Sequence, residues 1–294
     1  MVVILLSEFT AGRAGKYIYP DQAVKSTRST REKTLPPQKD KVLGVIPARW
    51  ASSRFPGKAL AMIAGRPMIE RVWRQAARCA TLDQIVVATD DERIAGCVRE
   101  FGGEVVMTPA DTPTGTDRIA IVARELPGFP LVLNIQGDEP LLEPEPIDLA
   151  VELIHATPSA GCTTLVRPAR TVGEIDDPNA VKVVMGAGGR VITFSRGQAP
   201  FCRDGGLLKN VGTGGEHPWW IHLGLYVWRR EALLKQVSLP VALIEASEGL
   251  EQLRSIHAGT EFYAAQIEAT ASIAVDLPRD VAEVERTMRE LGLD

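Results

Sequence analysis

The chain has 294 residues, enough for one large domain or two small ones. Its 45% hydrophobic content fits a soluble globular core, and a net charge of −4 at pH 7 does not suggest a nucleic-acid-binding surface. The four cysteines, Cys79, Cys97, Cys162 and Cys202, form no Cys-x-x-Cys pair and no zinc pattern with histidine, and no apolar run is long enough to cross a membrane. The thiols read as reduced cysteines of a cytoplasmic protein.

Residues 1–40 differ in character from the rest of the chain. The stretch 25–34 is polar and basic, and Pro36 and Pro37 come next. Such a segment buries too little apolar surface to offset its ordering entropy, so it reads as a poorly ordered extension before a domain spanning 41–294. Residues 42–46 form an apolar run that predicts a buried strand. The run breaks at Pro47 into a loop carrying Arg49, Arg54 and Lys58, with Gly57 beside the lysine. Pro67 sits where a first-turn helix proline would. Met68, Ile69, Val72, Trp73, Ala76 and Ala77 then repeat at helical spacing.

Further strands are predicted at 84–90, 104–108 and 131–136, and helices at 92–101, 117–126 and 146–156. Gly102 and Gly103 stop the helix before them. Strands alternating with helices imply βαβ units, right-handed crossovers and an α/β fold with a mainly parallel sheet. The second half is more mixed. A strand at 162–166 precedes a hairpin, 180–185 with 190–194, around the Gly-rich turn 186–189. Residues 200–218 read as a long surface loop. A strand at 222–228, helices at 230–236 and about 248–257, short strands at 261–267 and 272–275, and a closing helix at 278–291 complete the chain.

A cationic loop directly after a buried strand lies at the carboxyl end of a sheet, where open α/β folds bind ligands. Isolated charges there are usually solvated, but Arg49, Arg54 and Lys58 together call for a polyanion, and a triphosphate is the natural candidate. No Walker loop and no Gly-x-Gly-x-x-Gly follows the first strand. Asp138, in Gln136-Gly-Asp-Glu-Pro140, ends a central strand that should neighbour the first. A lone Asp there often only shapes a turn. Facing a triphosphate, it would act through Mg²⁺, since direct contact is repulsive. Thr114-Gly-Thr-Asp-Arg118 opens a helix, either as an ordinary N-cap or as a contact to a nucleobase or ribose. Asp276 precedes the last helix, either as its N-cap or as a second metal ligand.

Six segments in this order carry a resemblance: Ile46-Pro-Ala-Arg49 with Arg54-Phe-Pro-Gly-Lys58, Asn134-Ile-Gln-Gly-Asp-Glu-Pro140, Asn179-Ala-Val-Lys-Val-Val184, Phe194-Ser-Arg196, His222-Leu-Gly-Leu-Tyr226 and Leu250-Glu-Gln-Leu-Arg254. From Lys41 onward the chain resembles the 3-deoxy-manno-octulosonate cytidylyltransferase (CMP-Kdo synthetase) family. The resemblance implies a Rossmann-like, glycosyltransferase-A-like nucleotidyltransferase sheet with a smaller β-rich lobe for sugar and dimer contacts. It implies a cytoplasmic, Mg²⁺-dependent homodimer that activates the sugar acid Kdo with CTP for lipopolysaccharide assembly, with no nucleic-acid or membrane partner.

By matching positions, Arg49, Arg54 and Lys58 would hold the triphosphate and, with Asp138, form the catalytic set. Pro47, Ala48, Gly115, Thr116 and Arg118 would contact the cytidine, and Asp138 and Asp276 would ligate magnesium. Gln136, Arg196, His222, Tyr226, Glu248 and Gln252 would line the sugar pocket. No side-chain nucleophile is required, in line with the lack of a Ser/His/Asp or Cys/His arrangement.

The chain departs from the family pattern on the sugar and second-metal side. Ala269-Thr-Ala replaces a Gly-Thr-Gly-like run, and Leu277 a small polar residue. Glu245-Ala246 stands for Glu-His, and Gly197-Gln-Ala-Pro-Phe201 for Ala-x-Ile-Pro-Trp. A cytidylyltransferase for a related acid sugar, such as 8-amino-Kdo or a sialic-type acid, is the rival within the class. A non-catalytic nucleotide-binding protein is the rival outside it.

Overall fold

A computed structural model of the chain describes residues 39–51, 54–268 and 273–293. The extension expected over 1–40 therefore lies outside the described residues, apart from Lys39 and Asp40. Asp40 is tied to the domain by Arg229, 3.6 Å away.

The first strand, β1 (Val42–Ala48), is buried at every residue but Pro47. It runs past the break expected at Pro47. Its pairing with the fourth long strand ends at Val45, while its pairing with the second continues to Ala48, so Pro47 needs a neighbour on one side only. A small hairpin comes next, β2 (Met62–Ile63) and β3 (Arg66–Pro67), and then α1 (Met68–Ala76), for which Pro67 is the N-cap rather than the first helical residue. The chain continues through β4 (Gln84–Thr89), α2 (Glu92–Glu100), β5 (Glu104–Met107), α3 (Gly115–Glu125), β6 (Leu131–Asn134) and α4 (Pro144–Ala156). Asp91 caps α2 by accepting from the Arg93 backbone N–H at 2.9 Å, and Gly102 ends it at φ 85°, a left-handed conformation suited to glycine.

The second half contains β7 (Cys162–Pro168), α5 (Val172–Asp176), the hairpin β8 (Lys182–Met185) and β9 (Arg190–Ser195), and β10 (Trp220–Arg229). It ends with α6 (Arg230–Gln236), α7 (Leu243–Glu248), α8 (Gln252–His257), β11 (Phe262–Gln266) and α9 (Pro278–Leu291). Two expectations change here. The single helix expected over about 248–257 is two helices, because Gly249 adopts φ 61° and ends α7. The strand expected at 272–275 is irregular chain over its described part, where the Val275 N–H donates to the Asp138 carbonyl at 2.8 Å instead of joining a sheet.

One nine-stranded sheet runs β5-β4-β1-β6-β10-β7-β11-β9-β8. The β5, β4, β1 and β6 strands are parallel, as βαβ units require. β10 runs antiparallel to both β6 and β7, so the sheet is mixed, and the later strands continue it instead of forming a separate sheet. Helices cover both faces. Ile69, Val72, Ile94, Val98, Ile147 and Val151 of α1, α2 and α4 pack on one side. Ile119, Val122, Leu233 and Leu253 of α3, α6 and α8 pack on the other. Burial on both faces explains the continuous apolar runs of the early strands. The 200–218 segment packs into a small separate core, in which its Val211 is buried with Ile175, Trp219 and Ile221. The Trp219 indole N–H donates to the Pro200 carbonyl at 2.8 Å.

Candidate active site

The site forms where β1 and β6 end side by side. Gly137 comes just after β6 and approaches β1 so closely that a Cβ there would lie 2.7 Å from the Pro47 carbonyl oxygen. The absent side chain lets the turn bring Asp138 against the cationic loop. That loop is closed by the Gly57 N–H donating to the Trp50 carbonyl at 3.0 Å. Gly57 has φ 70° and sits under the Trp50 ring, whose centroid is 3.3 Å from the Arg93 guanidinium carbon.

Lys58 then reaches across. Its Nζ donates to Asp138 Oδ2 at 2.7 Å and to the Val275 carbonyl at 3.2 Å, and it lies 3.7 Å from Asp276 Oδ1. Arg54 donates to the same Asp276 oxygen at 3.0 Å. Asp276 is not the cap of α9. Asp280 accepts from the backbone N–H groups of Asp276 and Leu277, at 2.8 and 2.7 Å, which leaves the Asp276 carboxylate free to face the cations. Those N–H groups hold the Asp280 carboxyl below the usual range.

A cavity of about 420 Å³ opens here, lined by Pro47, Ala48, Arg49, Arg54, Lys58, Gly115, Arg118, Gln136, Asp138 and Asp276, among others. Thr114 is an N-cap, accepting from the Asp117 N–H at 3.1 Å, while Gly115 stays open on the cavity wall. Both readings of that segment are compatible with this placement. Arg118 is buried and held by Asp90 at 3.0 Å and by the Thr108 hydroxyl.

A second cavity of about 360 Å³ shares Pro47, Gly115, Gln136 and Glu251 with the first. Thr116, His222, Tyr226 and Gln252 line it. Gln136 is oriented by donating to the Gly224 carbonyl at 2.7 Å. The Thr164 hydroxyl donates to the Leu225 carbonyl at 2.6 Å, so it accepts from His222 Nε2 at 2.9 Å, which fixes the ring tautomer. Burial lowers the His222 pKa to about 3, and desolvation pushes the Tyr226 phenol well above its ordinary value.

Arg196 and Glu248 line neither of these cavities. The Glu248 carboxylate accepts from Ser195 Oγ and the Arg196 backbone N–H, while the Arg196 guanidinium donates to the carbonyls of Glu248 and Pro178. They fasten β9 to α7 beside the second cavity. Sequence reasoning missed Glu251, which lines both cavities, and Asn134, Trp228 and Gln236, which line the second. Glu251 and Asn134 lie inside the family-like segments, and that position was their only signal.

The comparisons with known proteins agree with this geometry. A family model described as Cytidylyltransferase matches residues 43–266. The 3-deoxy-manno-octulosonate cytidylyltransferase of Geobacter sulfurreducens is 44% identical over 83% of this chain and 97% of its own. The chain belongs to the 3-deoxy-manno-octulosonate cytidylyltransferase family. Its relative of the same name from Myxococcus xanthus is 43% identical, covering 87% of this chain and 99% of that one. A solved CMP:2-keto-3-deoxy-manno-octonic acid synthetase complexed with CTP superposes with a TM-score of 0.78 at 34% identity, over 85% of this chain and 99% of that one. As in that family, the chain is a mixed α/β nucleotidyltransferase. Among the described residues, no helix is long and apolar enough to cross a membrane.

Proposed function

We infer that the protein transfers CMP from CTP to the anomeric hydroxyl of Kdo, giving CMP-Kdo and pyrophosphate for lipopolysaccharide biosynthesis. The observation that carries this is the convergence of Arg54, Lys58, Asp138 and Asp276 at one cavity that continues into a second, polar one. The first has the charge for a triphosphate, and the second has the hydroxyl-matching groups for a sugar. The relatives' names supply CTP and Kdo as the substrates.

In this reading Arg49, Arg54 and Lys58 bind the triphosphate oxygens, while Pro47, Ala48, Gly115 and Arg118 hold the cytidine, and Thr116, expected beside them, faces the second cavity next to the shared Gly115. Gln136, His222, Tyr226 and Gln252 orient the sugar acid. Arg196 and Glu248 support that pocket through the turn at Gly249. The sugar's anomeric oxygen attacks the α-phosphorus, its proton departs, and the bond to the β-phosphate oxygen breaks. Positioning and charge stabilisation supply most of the catalysis, since no covalent intermediate with the protein is needed.

Magnesium fits the donor set. Among the described residues, no group of three His, Cys, Asp or Glu side chains could hold a metal alone. Asp138 and Asp276, however, both reach a single cationic nitrogen, at 2.7 and 3.7 Å. Two hard carboxylates facing a phosphate cavity are what Mg²⁺ uses, with substrate oxygens completing its shell. Bound there, it would neutralise phosphate charge and ease deprotonation of the sugar hydroxyl.

The finer features of the family fit the same reading. They are a Rossmann-like nucleotidyltransferase core, a single domain over 41–294, a homodimer and a cytoplasmic location. Turnover with CTP and a panel of sugar acids tests the function. Activity with Kdo is the expected result. Activity only with 8-amino-Kdo or a sialic-type acid would move the substrate, and no pyrophosphate release with any acid would leave a nucleotide-binding protein.

A further inference from the structure

Gly57, the residue before Lys58, is held at φ 70° and opens the short turn Lys58–Leu60. Both the backbone and the ring of Trp50 hold it there. The Trp50 carbonyl accepts from the Gly57 N–H at 3.0 Å. The ring lies so close that a Cβ on Gly57 would be 2.9 Å from Trp50 Cη2. Trp50 is partly buried against the main core, whereas Arg49 beside it is exposed.

The ring is gripped in turn from α2. The Arg93 guanidinium carbon lies 3.3 Å from the ring centroid, within cation–π range. Arg93 is itself pinned by Asp91, donating from Nε to Oδ1 at 2.9 Å and from Nη2 to Oδ2 at 2.6 Å. Asp91 directly follows Asp90, which holds Arg118 at 3.0 Å in the wall of the first cavity. Neither Trp50 nor Arg93 lines that cavity. The Arg93 side chain is 58% exposed, so its ion pair with Asp91 contributes little to overall stability. What it does is local to the ring it covers.

The loop carries Arg49, Arg54 and Lys58, and like charges repel, so without a polyanion it favours spread arrangements. A clamp that keeps the loop in its binding arrangement raises the fraction of molecules able to bind, and the apparent Kd falls in proportion. We propose that Arg93 is a positioning residue for the triphosphate, stacking on Trp50 to keep Gly57, and with it Lys58, in the arrangement that binds CTP. The Asp91 carboxylate orients the guanidinium and offsets the further positive charge that this clamp brings beside the loop. The proposal rests on the reading of the first cavity as a CTP site and adds to it residues that lie outside its lining.

The test measures CTP binding to the full chain by titration calorimetry with Mg²⁺, which needs no turnover. Arg93→Ala raises the CTP Kd by about 2- to 5-fold, the size of an exposed cation–π contact. The urea midpoint stays close to that of wild type. At saturating CTP the KM of the sugar acid stays within about twofold. A rise in the sugar acid's KM equal to that in the CTP Kd, or a loss of CTP binding that follows a lowered urea midpoint, would overturn the proposal.

Arg93 is also a positive charge, and a long-range pull on CTP would be lost with it. In a Trp50→Leu background the stack is already gone, so Arg93→Ala there changes the CTP Kd by less than about 1.5-fold. The same loss in both backgrounds would overturn the proposal in favour of long-range attraction. A second variant leaves Trp50 in place. Arg93→Lys keeps the charge without the flat, forked contact, so its CTP Kd stays closer to that of Arg93→Ala than to wild type. Full recovery in Arg93→Lys would overturn the proposal. Wild-type protein that binds no CTP would sink the CTP reading and this inference together. Wild-type binding matched by Arg93→Ala would sink the inference alone.

Discussion

Lys58 Nζ lies 2.7 Å from Asp138 Oδ2, so the loop after β1 and the turn after β6 are joined by one ion pair. The lysine also touches the Val275 carbonyl and lies near Asp276, holding two carboxylates together in the position a divalent cation would take. Lys58→Ala removes this counter-ion and a phosphate contact. The expected result is a rise in the CTP KM of about 10- to 100-fold, read by pyrophosphate release. Unchanged CTP kinetics would contradict the triphosphate role.

The two carboxylates differ in setting. Asp138 has 28% of its side chain exposed and Asp276 has 42%. Asp138→Ala and Asp276→Ala are each expected to lower kcat by about 100-fold or more and to raise the magnesium concentration giving half-maximal rate. A magnesium titration at saturating CTP checks both. A rate that survives either change would exclude that residue from metal binding.

Gly137→Ala would drive a methyl group into the Pro47 carbonyl, 2.7 Å away. The obstacle is backbone, so the turn must shift. A loss of about 1–3 kcal/mol in urea unfolding is expected, together with lower kcat from a displaced Asp138. Wild-type stability in this variant would show that the close approach carries no constraint.

His222 is half-buried in the wall of the second cavity, and desolvation lowers its pKa from 6.5 to about 3. Between these values the unfolded chain binds a proton that the folded chain refuses. This contribution to stability is therefore full above pH 6.5 and is lost as the pH falls toward 3. His222→Asn is expected to flatten the stability curve over that interval relative to wild type, as measured by urea unfolding at several pH values. No histidine limb near its ordinary pKa should appear in the rate profile. A limb abolished by His222→Asn would show that the ring titrates in the working range.

Arg254 and Glu245 form a largely buried ion pair that joins α8 to α7. The arginine hydrogen bond holds the Glu245 carboxyl below its usual range, and the Ala242 N–H adds to this. Arg254→Met leaves that carboxylate without its partner and is expected to cost about 3–5 kcal/mol. Chemical denaturation measures it, and a change below about 1 kcal/mol would mark the pair as solvent-screened.

Much of the first half was legible because its strands are buried on both faces and its helices show one apolar stripe each. Val42 through Ile46 and the helical spacing from Met68 to Ala76 are local signals, and they lead directly to β1 and α1. The pairing of Asp138 with the cationic loop was also readable, since a parallel βαβ order makes β6 a neighbour of β1. What failed depended on long-range contacts. The irregular path before Asp276 is set by a backbone bond to the Asp138 carbonyl, which no local pattern announces. Gly249 splits a helix through its backbone angle, and so brings Glu251 to both cavities. Arg196 and Glu248 have the residue types of a sugar site, yet they bind one another and the backbone around them. The 269–272 segment, where the chain departs from the family pattern, lies outside the described residues.

β10 runs against β6 on one side and β7 on the other, with its register shifting between Leu223 and Tyr226. Asn134 and Gln136 come from β6 and the chain just after it, while His222 and Tyr226 come from β10, so the sheet-borne wall of the second cavity is cut from adjoining strands, facing the α7–α8 turn that carries Glu251. The spacing between nucleotide and acceptor is thus machined into a ladder of backbone hydrogen bonds instead of being set by a hinge. The irregularity at Leu223–Tyr226 acts as the gauge block, because inserting or deleting one residue there would shift His222 against Tyr226, which line the same cavity from either side of it.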